Sequence, residues 1–149
     1  MLKRTLGVGF AVIATLASAQ TAPGGLLPGL WAEKFTMQIT KINGQSVANA
    51  PEVDSDTSCY TARDVADPKR LLLAGAEQEC SISDFSMNDG KISMSVSCAF
   101  TSGPTMNGDL HGTYTPTSFD LHGMMNSHDA NPAEVTASMS ARRTGICKK

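Results

Sequence analysis

The chain has 149 residues, of which 17% are charged and 41% hydrophobic, and its formal net charge is −2. This length corresponds to one domain, and the slightly acidic balance argues against nucleic acid or an anionic membrane surface as a partner. After residue 19, no apolar run approaches the roughly 20 residues that a membrane-spanning helix requires. Composition therefore argues against a multidomain protein, a nucleic-acid-binding protein and a membrane span, but it does not identify a function.

Residues 1–19 have the features of a secretory signal peptide. Two basic residues precede an uncharged apolar run from Leu6 to Leu16, and a small-residue cleavage site ends at Ala19. Cleavage before Gln20 would remove no acidic residue and so make the mature chain more acidic. We expect an exported protein, located in the periplasm or secreted, whose single β domain spans residues 20–149.

The next segments predict strands, separated by one helical insert. Alternation marks a strand over Trp31–Ile39, the pair Asn43-Gly44 predicts a turn, and a weak strand is expected at Gln45–Ala48. Residues 49–58 predict a polar loop. Two short helical turns are then expected over residues 62–66 and 68–73, ending near Gly75. Their start signals are a capping-box-like Thr61 with Asp64 and a proline at position 68.

The second half of the chain predicts a series of strands joined by short connections. They are expected near residues 80–87, 91–100, 106–115, 118–126 and 134–143. Short connections make sequence neighbours spatial neighbours. The expected fold is an all-β antiparallel meander of about six or seven strands, arranged as a curled sheet, a partly open barrel or a sandwich.

Four cysteines lie after the signal peptide, namely Cys59, Cys80, Cys98 and Cys147. In an exported chain an even number predicts two disulfide bonds, and four cysteines allow three pairings. Asp89-Gly90 predicts a hairpin turn followed by strict alternation over Lys91–Cys98. An extra residue near Ser83-Asp84, a β-bulge, would set Cys80 opposite Cys98. The sequence thus favours Cys80–Cys98, which leaves Cys59 to pair with Cys147.

Four sequence elements resemble the secreted bacterial family called domain of unknown function 3617. They are Pro28-Gly29-Leu30-Trp31, the Cys59–Leu73 segment with its Asp-Pro, the Cys80…Cys98 hairpin, and Arg142-Arg143 with Gly145 and Cys147. The resemblance covers nearly all of the mature chain. It implies a small exported, periplasmic protein of a Gram-negative bacterium and brings no established activity, cofactor or catalytic residue. In that family an acidic residue commonly follows the tryptophan directly, whereas Ala32 precedes Glu33 here.

The sequence gives no support for catalysis. It contains no G-x-S-x-G motif, and the spacing of His111, His122 and His128 indicates no catalytic triad. We therefore expect a protein that is not an enzyme and has no cofactor.

One hairpin suggests a metal site. With a two-residue loop at Pro116-Thr117, His111 faces His122 on the polar side, with Cβ atoms about 5 Å apart. Two imidazoles with Asp109 or Asp120 as a third ligand would suit Cu(II), Ni(II) or Zn(II). The alternative is an exposed polar face that happens to carry two histidines.

A curled sheet could also hold a small apolar ligand on its inner face. The lining residues would be Trp31, Phe35, Met37, Tyr114 and Phe119. These are also the core residues that such a sheet needs, and only 5% of the chain is aromatic. We expect a packed core.

The preferred interpretation is an exported binding or accessory protein without catalytic activity. It would present a strand edge, or the loops 101–109 and 126–133, to an unidentified envelope protein. Carriage of an apolar ligand and metal binding at the histidine pair are the alternatives.

Overall fold

The structure, a computed structural model, describes residues 25–73, 79–99 and 103–148. The strands are β1 (Gly29–Ile42), β2 (Gln45–Ser46), β3 (Glu52–Tyr60), β4 (Glu79–Asn88), β5 (Lys91–Ala99), β6 (Thr105–Thr115), β7 (Ser118–Ser127) and β8 (Ala133–Gly145). The helices are α1 (Ala62–Ala66) and α2 (Pro68–Leu73). The predicted signal peptide and the predicted helix end near Gly75 lie outside the described residues.

All eight strands belong to one antiparallel sheet. Strands β4 to β8 form a meander, and β1 pairs with β8, so that the first and last strands are neighbours. Both β2 and β3 pair with the other side of β1. The sheet is not closed into a barrel, because β3 and β4 form its two ends. The all-β antiparallel prediction is confirmed, and of the architectures considered the single open sheet is the one observed.

Tight turns set the register of the hairpins. Asn43 and Gly44 have φ angles of 52° and 77°, and Asp89 and Gly90 have φ angles of 45° and 74°. Two successive residues with positive φ form the type I′ turn, whose twist matches that of paired strands. Both turns lie where the sequence predicts them.

The predicted bulge and both predicted disulfides are present. In the β4–β5 pair, Ser83 faces Ser95 but Ser86 faces Ser93, so the register shifts by one residue. Asp84 within this bulge has a φ of 48°. Beyond the bulge, the two cysteines of the hairpin are cross-strand partners. The disulfides are Cys80–Cys98, with Cα atoms 4.0 Å apart, and Cys59–Cys147, with Cα atoms 5.6 Å apart.

Three predicted loops are shorter than expected. The expected loop 49–58 largely forms β3, which pairs with β1 from Glu52 to Tyr60. Strand β6 begins at Thr105, and β7 continues to Ser127, so each strand occupies part of a predicted loop. Exposed strands lack the apolar alternation that marks a strand in sequence, because little of their surface is buried.

The inner face of the sheet carries the core. One cluster joins Trp31, Tyr60 and Phe119 to Val65 of α1 and Leu71 of α2. A second cluster contains Met106, Met125 and Val135, together with further buried residues. The helical insert runs from the edge strand β3 towards the edge strand β4 and packs on this face. The outer face, by contrast, is largely polar.

The predicted helix start is also observed. Thr61 and Asp64 form a reciprocal capping box at α1. The Asp64 carboxylate also accepts a hydrogen bond from the Thr61 hydroxyl, and this bond, together with the one from the Thr61 backbone N–H, lowers the pKa of Asp64. In the described part of the chain, no helix is long and apolar enough to cross a membrane.

Candidate functional site on the outer face of the sheet

A row of polar side chains crosses the outer face at right angles to the strands. Pairing runs from Ser93 to His111, from His111 to His122, from His122 to Ser138 and from Ser138 to Thr36. Because residues in register on one face are close neighbours, these side chains form a continuous strip of hydroxyl and imidazole groups. We call this row the polar strip.

The two histidines at the centre of the strip lie against each other. The centroids of the His111 and His122 rings are 4.5 Å apart, and the ring planes are inclined by 65°. Both side chains are exposed. The predicted cross-strand histidine pair is therefore present, and it follows from the two-residue turn that pairs Thr115 with Ser118.

The two predicted carboxylate partners have different surroundings. Asp109 accepts a 2.6 Å hydrogen bond from the Ser95 hydroxyl. Asp120 forms an exposed ion pair with Arg142, 3.1 Å from nitrogen to oxygen. Within the described ranges, no cluster of three or more histidine, cysteine, aspartate or glutamate side chains is arranged to hold a metal ion. The geometry thus shows a histidine pair, and the metal site stays a prediction.

An open groove of about 830 Å³ lies over the polar strip. Its lining includes Thr36, Gln38, Pro51, Asp109, His111, His122, Met124, Asn126, Thr136 and Ser138. The segment between β2 and β3 forms one wall, and it is fixed there because Gln38 Nε2 donates a 2.7 Å hydrogen bond to the Asn49 carbonyl. The groove therefore combines a floor of paired strands with a tethered wall.

Two glycines hold the strands of the groove floor close together. A Cβ atom at Gly108 would collide with the Met124 carbonyl, and one at Gly123 would collide with the Asp109 carbonyl. Glycine within a strand commonly marks such a close backbone approach or a bend. Larger residues at these two positions would distort the floor.

The predicted inner-face ligand residues do not line this groove. Trp31 and Phe119 are fully buried in the core, whereas Met37 and Tyr114 are half-buried. Phe35 is 39% exposed. The Trp31 indole stacks on Tyr60, with centroids 5.2 Å apart, and its Nε1 donates to the Leu27 carbonyl. These contacts are those of a packing residue, and ligand carriage on the inner face stays a prediction.

Glu33 has an interior role that the sequence does not reveal. Its carboxylate accepts hydrogen bonds from the Tyr60 hydroxyl and the Ser58 hydroxyl. Burial, followed by the hydrogen bond and the charge of Glu33, raises the pKa of Tyr60. Tyr60 and Ser58 lie on β3, which the sequence pattern predicts as a loop, so this contact could not be predicted from the sequence. Glu33 lies within β1, and these two hydrogen bonds satisfy its half-buried carboxylate.

The motifs at the two ends of the domain meet at the start of β1. Arg143 Nε donates a 2.9 Å hydrogen bond to the Pro28 carbonyl. Gly29 has a φ of 151°, and a Cβ there would collide with the Gly145 carbonyl. The Cys59–Cys147 disulfide lies at the same corner, because Cys59 is the cross-strand partner of Leu30 in β1. These motif residues thus fasten the termini of the domain together.

Comparison with known proteins places this arrangement in a family. A family model described as "Protein of unknown function (DUF3617)" matches residues 26–147. No curated protein matches the chain, and no solved structure does. The matched region contains every strand of the sheet, the corner just described and the outer groove. The chain therefore belongs to the DUF3617 family of proteins of unknown function.

Proposed function

We propose that this chain is an exported, periplasmic binding or accessory protein without catalytic activity, and that the outer groove is its binding surface. The observation that carries this proposal is the groove itself, which lies on the face opposite the core. Its volume of about 830 Å³ is within the range of about 300–1,000 Å³ typical of small-molecule sites. We place the binding surface on the face of the sheet rather than on the loops 101–109 and 126–133, because strands take up part of those loops.

The lining of the groove, in which polar groups lie within a larger apolar surface, suits a small amphipathic occupant. Hydroxyl groups of Thr36 and Ser138 and the two imidazoles offer donors and acceptors along the polar strip. Met124, which is 51% exposed, and Pro51 supply apolar contact. Because the floor consists of paired strands, the backbone positions that carry these side chains are fixed before an occupant arrives.

Export is supported by the signal-peptide features of residues 1–19 and by the two disulfides. Disulfides form and persist in oxidising compartments such as the periplasm. Amino-terminal sequencing of the protein released from the periplasm should begin at Gln20. A chain that stays in the cytosol with its thiols reduced would contradict this part of the proposal.

Filling the groove tests the binding proposal. In Ser138→Trp, an indole beside His122 in the polar strip should block the groove while leaving the core untouched, because Ser138 is exposed. Native mass spectrometry of protein isolated from the periplasm should show a bound small molecule on the natural chain. The same molecule should be absent from Ser138→Trp.

Ser140→Trp is the matched control. Ser140 lies on the same strand and the same face, but it pairs with Lys34 and does not line the groove. This variant should retain the bound molecule. Equal occupancy of the two variants, or no bound molecule on any of the three proteins, would contradict binding in the groove.

A further inference from the structure

We propose that His111 and His122 form a binding site for Cu(II) within the outer groove. This inference rests on the proposed function, since it names one class of occupant for the same surface. The two imidazoles supply two nitrogen ligands on one side of the ion. The remaining coordination positions face the open groove, where water or a second bound molecule can occupy them.

The two rings meet edge to face, and their spacing is short enough for both imidazoles to reach one metal ion once the exposed rings turn towards it. With metal–nitrogen bonds of about 2.0–2.1 Å, two imidazoles at right angles about a shared ion have ring centroids roughly 4.5 Å apart. The observed separation is 4.5 Å. Right-angled coordination is typical of the tetragonal geometry of Cu(II).

The surroundings of the pair favour a cation. The neighbours on either side in the polar strip are the hydroxyls of Ser93 and Ser138, so neither brings a positive charge. Asp109 and Met124 are cross-strand partners in the next row of the sheet. Both line the groove together with the histidines. Asp109 therefore contributes a negative charge close to the proposed ion, and Met124 contributes a thioether.

Copper is the expected ion for chemical reasons. Among divalent ions of the first transition series, Cu(II) binds a given nitrogen site most tightly. A pair of imidazoles without a third protein ligand is a weak site for zinc, whose structural sites use four protein ligands. Because the histidines are exposed, their rings can turn towards a common ion without disturbing the core.

The test uses the mature chain without an affinity tag and Cu(II) alone as the probe. Calorimetric titration should give one site, and electron paramagnetic resonance should show two imidazole nitrogens on the copper. The double variant His111→Asn/His122→Asn should lose affinity. The affinity for Cu(II) should fall by at least roughly 10- to 100-fold, which is the loss caused by removing only a hydrogen-bond partner of a metal ligand. Each single variant should show one imidazole nitrogen.

His128→Asn is the matched control, because His128 is also exposed but follows the end of β7. It should bind Cu(II) as the natural chain does. Unchanged affinity in the folded double variant, or loss of the site in His128→Asn, would overturn the copper proposal. Suppose that Ser138→Trp lacks the molecule found on the natural chain, but that copper binds equally well with and without His111 and His122. In that case only the copper inference fails. If the natural chain carries no molecule that Ser138→Trp loses, the proposed function fails independently.

Discussion

Trp31 and Phe35 lie on the same face of β1 but have very different surroundings. Trp31 is fully buried between Tyr60 and Phe119, whereas Phe35, four residues along the strand, is 39% exposed. The difference arises because the helical insert packs near Trp31. The stability that each aromatic ring contributes should therefore depend on its position along the strand and not only on its type.

Truncation of the two rings tests this difference. Trp31→Ala should lower the free energy of unfolding by about 3–5 kcal/mol, because it leaves a cavity in the core and removes an indole hydrogen bond. Phe35→Ala should cost much less, since part of that ring already faces solvent. Urea unfolding of both variants gives the comparison. Equal losses would show that Trp31 does not fill a packed core.

Tyr60 should give the protein a specific sensitivity to alkali. In the unfolded chain a tyrosine loses its proton near pH 10, whereas burial and Glu33 hold the folded pKa of Tyr60 above that range. The unfolded state therefore releases a proton that the folded state retains. Below about pH 10 this difference has no effect on stability, and above it the free energy of unfolding should fall as pH rises.

Tyr60→Phe should make this alkaline loss of stability shallower. Denaturant unfolding between pH 8 and pH 11 (about one unit or more either side of the ordinary tyrosine pKa) measures the slope. Tyr114→Phe, which keeps Tyr60, should retain the slope of the natural chain. A Tyr60→Phe slope identical to that of the natural chain would contradict the role assigned to burial and Glu33.

At the scale of elements, the sequence predicts structure best where neighbouring strands are joined by tight turns. Asp89-Gly90 and the two-residue loop after Thr115 fix the hairpins, so the cysteine and histidine pairs could both be predicted. Strand β3 could not, because it is polar along most of its length and gains its structure by pairing with β1. The segment before β3 forms one wall of the groove, and its position could not be predicted without β3.

The two edge strands carry features that discourage pairing with other chains. In β3, Asp54 and Asp56 place negative charges along the edge, and in β4 the bulge at Asp84 interrupts the regular ladder. Charged side chains and bulges at sheet edges oppose edge-to-edge association. This arrangement agrees with a proposed binding surface on the sheet face rather than at a strand edge.

The two disulfides close loops of very different length and should differ in their contribution. Cys59 and Cys147 are separated by 88 residues, and Cys80 and Cys98 by 18. On the loop-entropy relation the longer loop contributes about 4.6 kcal/mol and the shorter about 3.2 kcal/mol. Replacing each pair by alanine and measuring urea unfolding should show the larger loss for the longer loop. A clearly larger loss for Cys80→Ala/Cys98→Ala would contradict this ranking.

In the molecule as a whole, the two faces of the sheet have different roles. The inner face, covered by the helical insert, packs the core, and the corner formed by Pro28, Arg143 and the Cys59–Cys147 disulfide fastens the ends of the domain. The outer face carries the polar strip and the groove. The pairing of β1 with β8 creates part of this outer face, and no local sequence signal predicts a contact between strands so far apart in the chain.

We propose that binding occurs on the outer face of the sheet and not on its inner face. Methionine methyl groups report on both faces, because Met124 lines the groove whereas Met94, Met106 and Met125 are buried in the core. Methyl NMR spectra of ¹³C-methionine protein can be compared before and after the molecule acquired in the periplasm is removed by unfolding and refolding. The Met124 resonance should move, and those of the three buried methionines should stay in place. Movement of the buried methionine resonances with that of Met124 unchanged would contradict binding in the outer groove and favour carriage on the inner face.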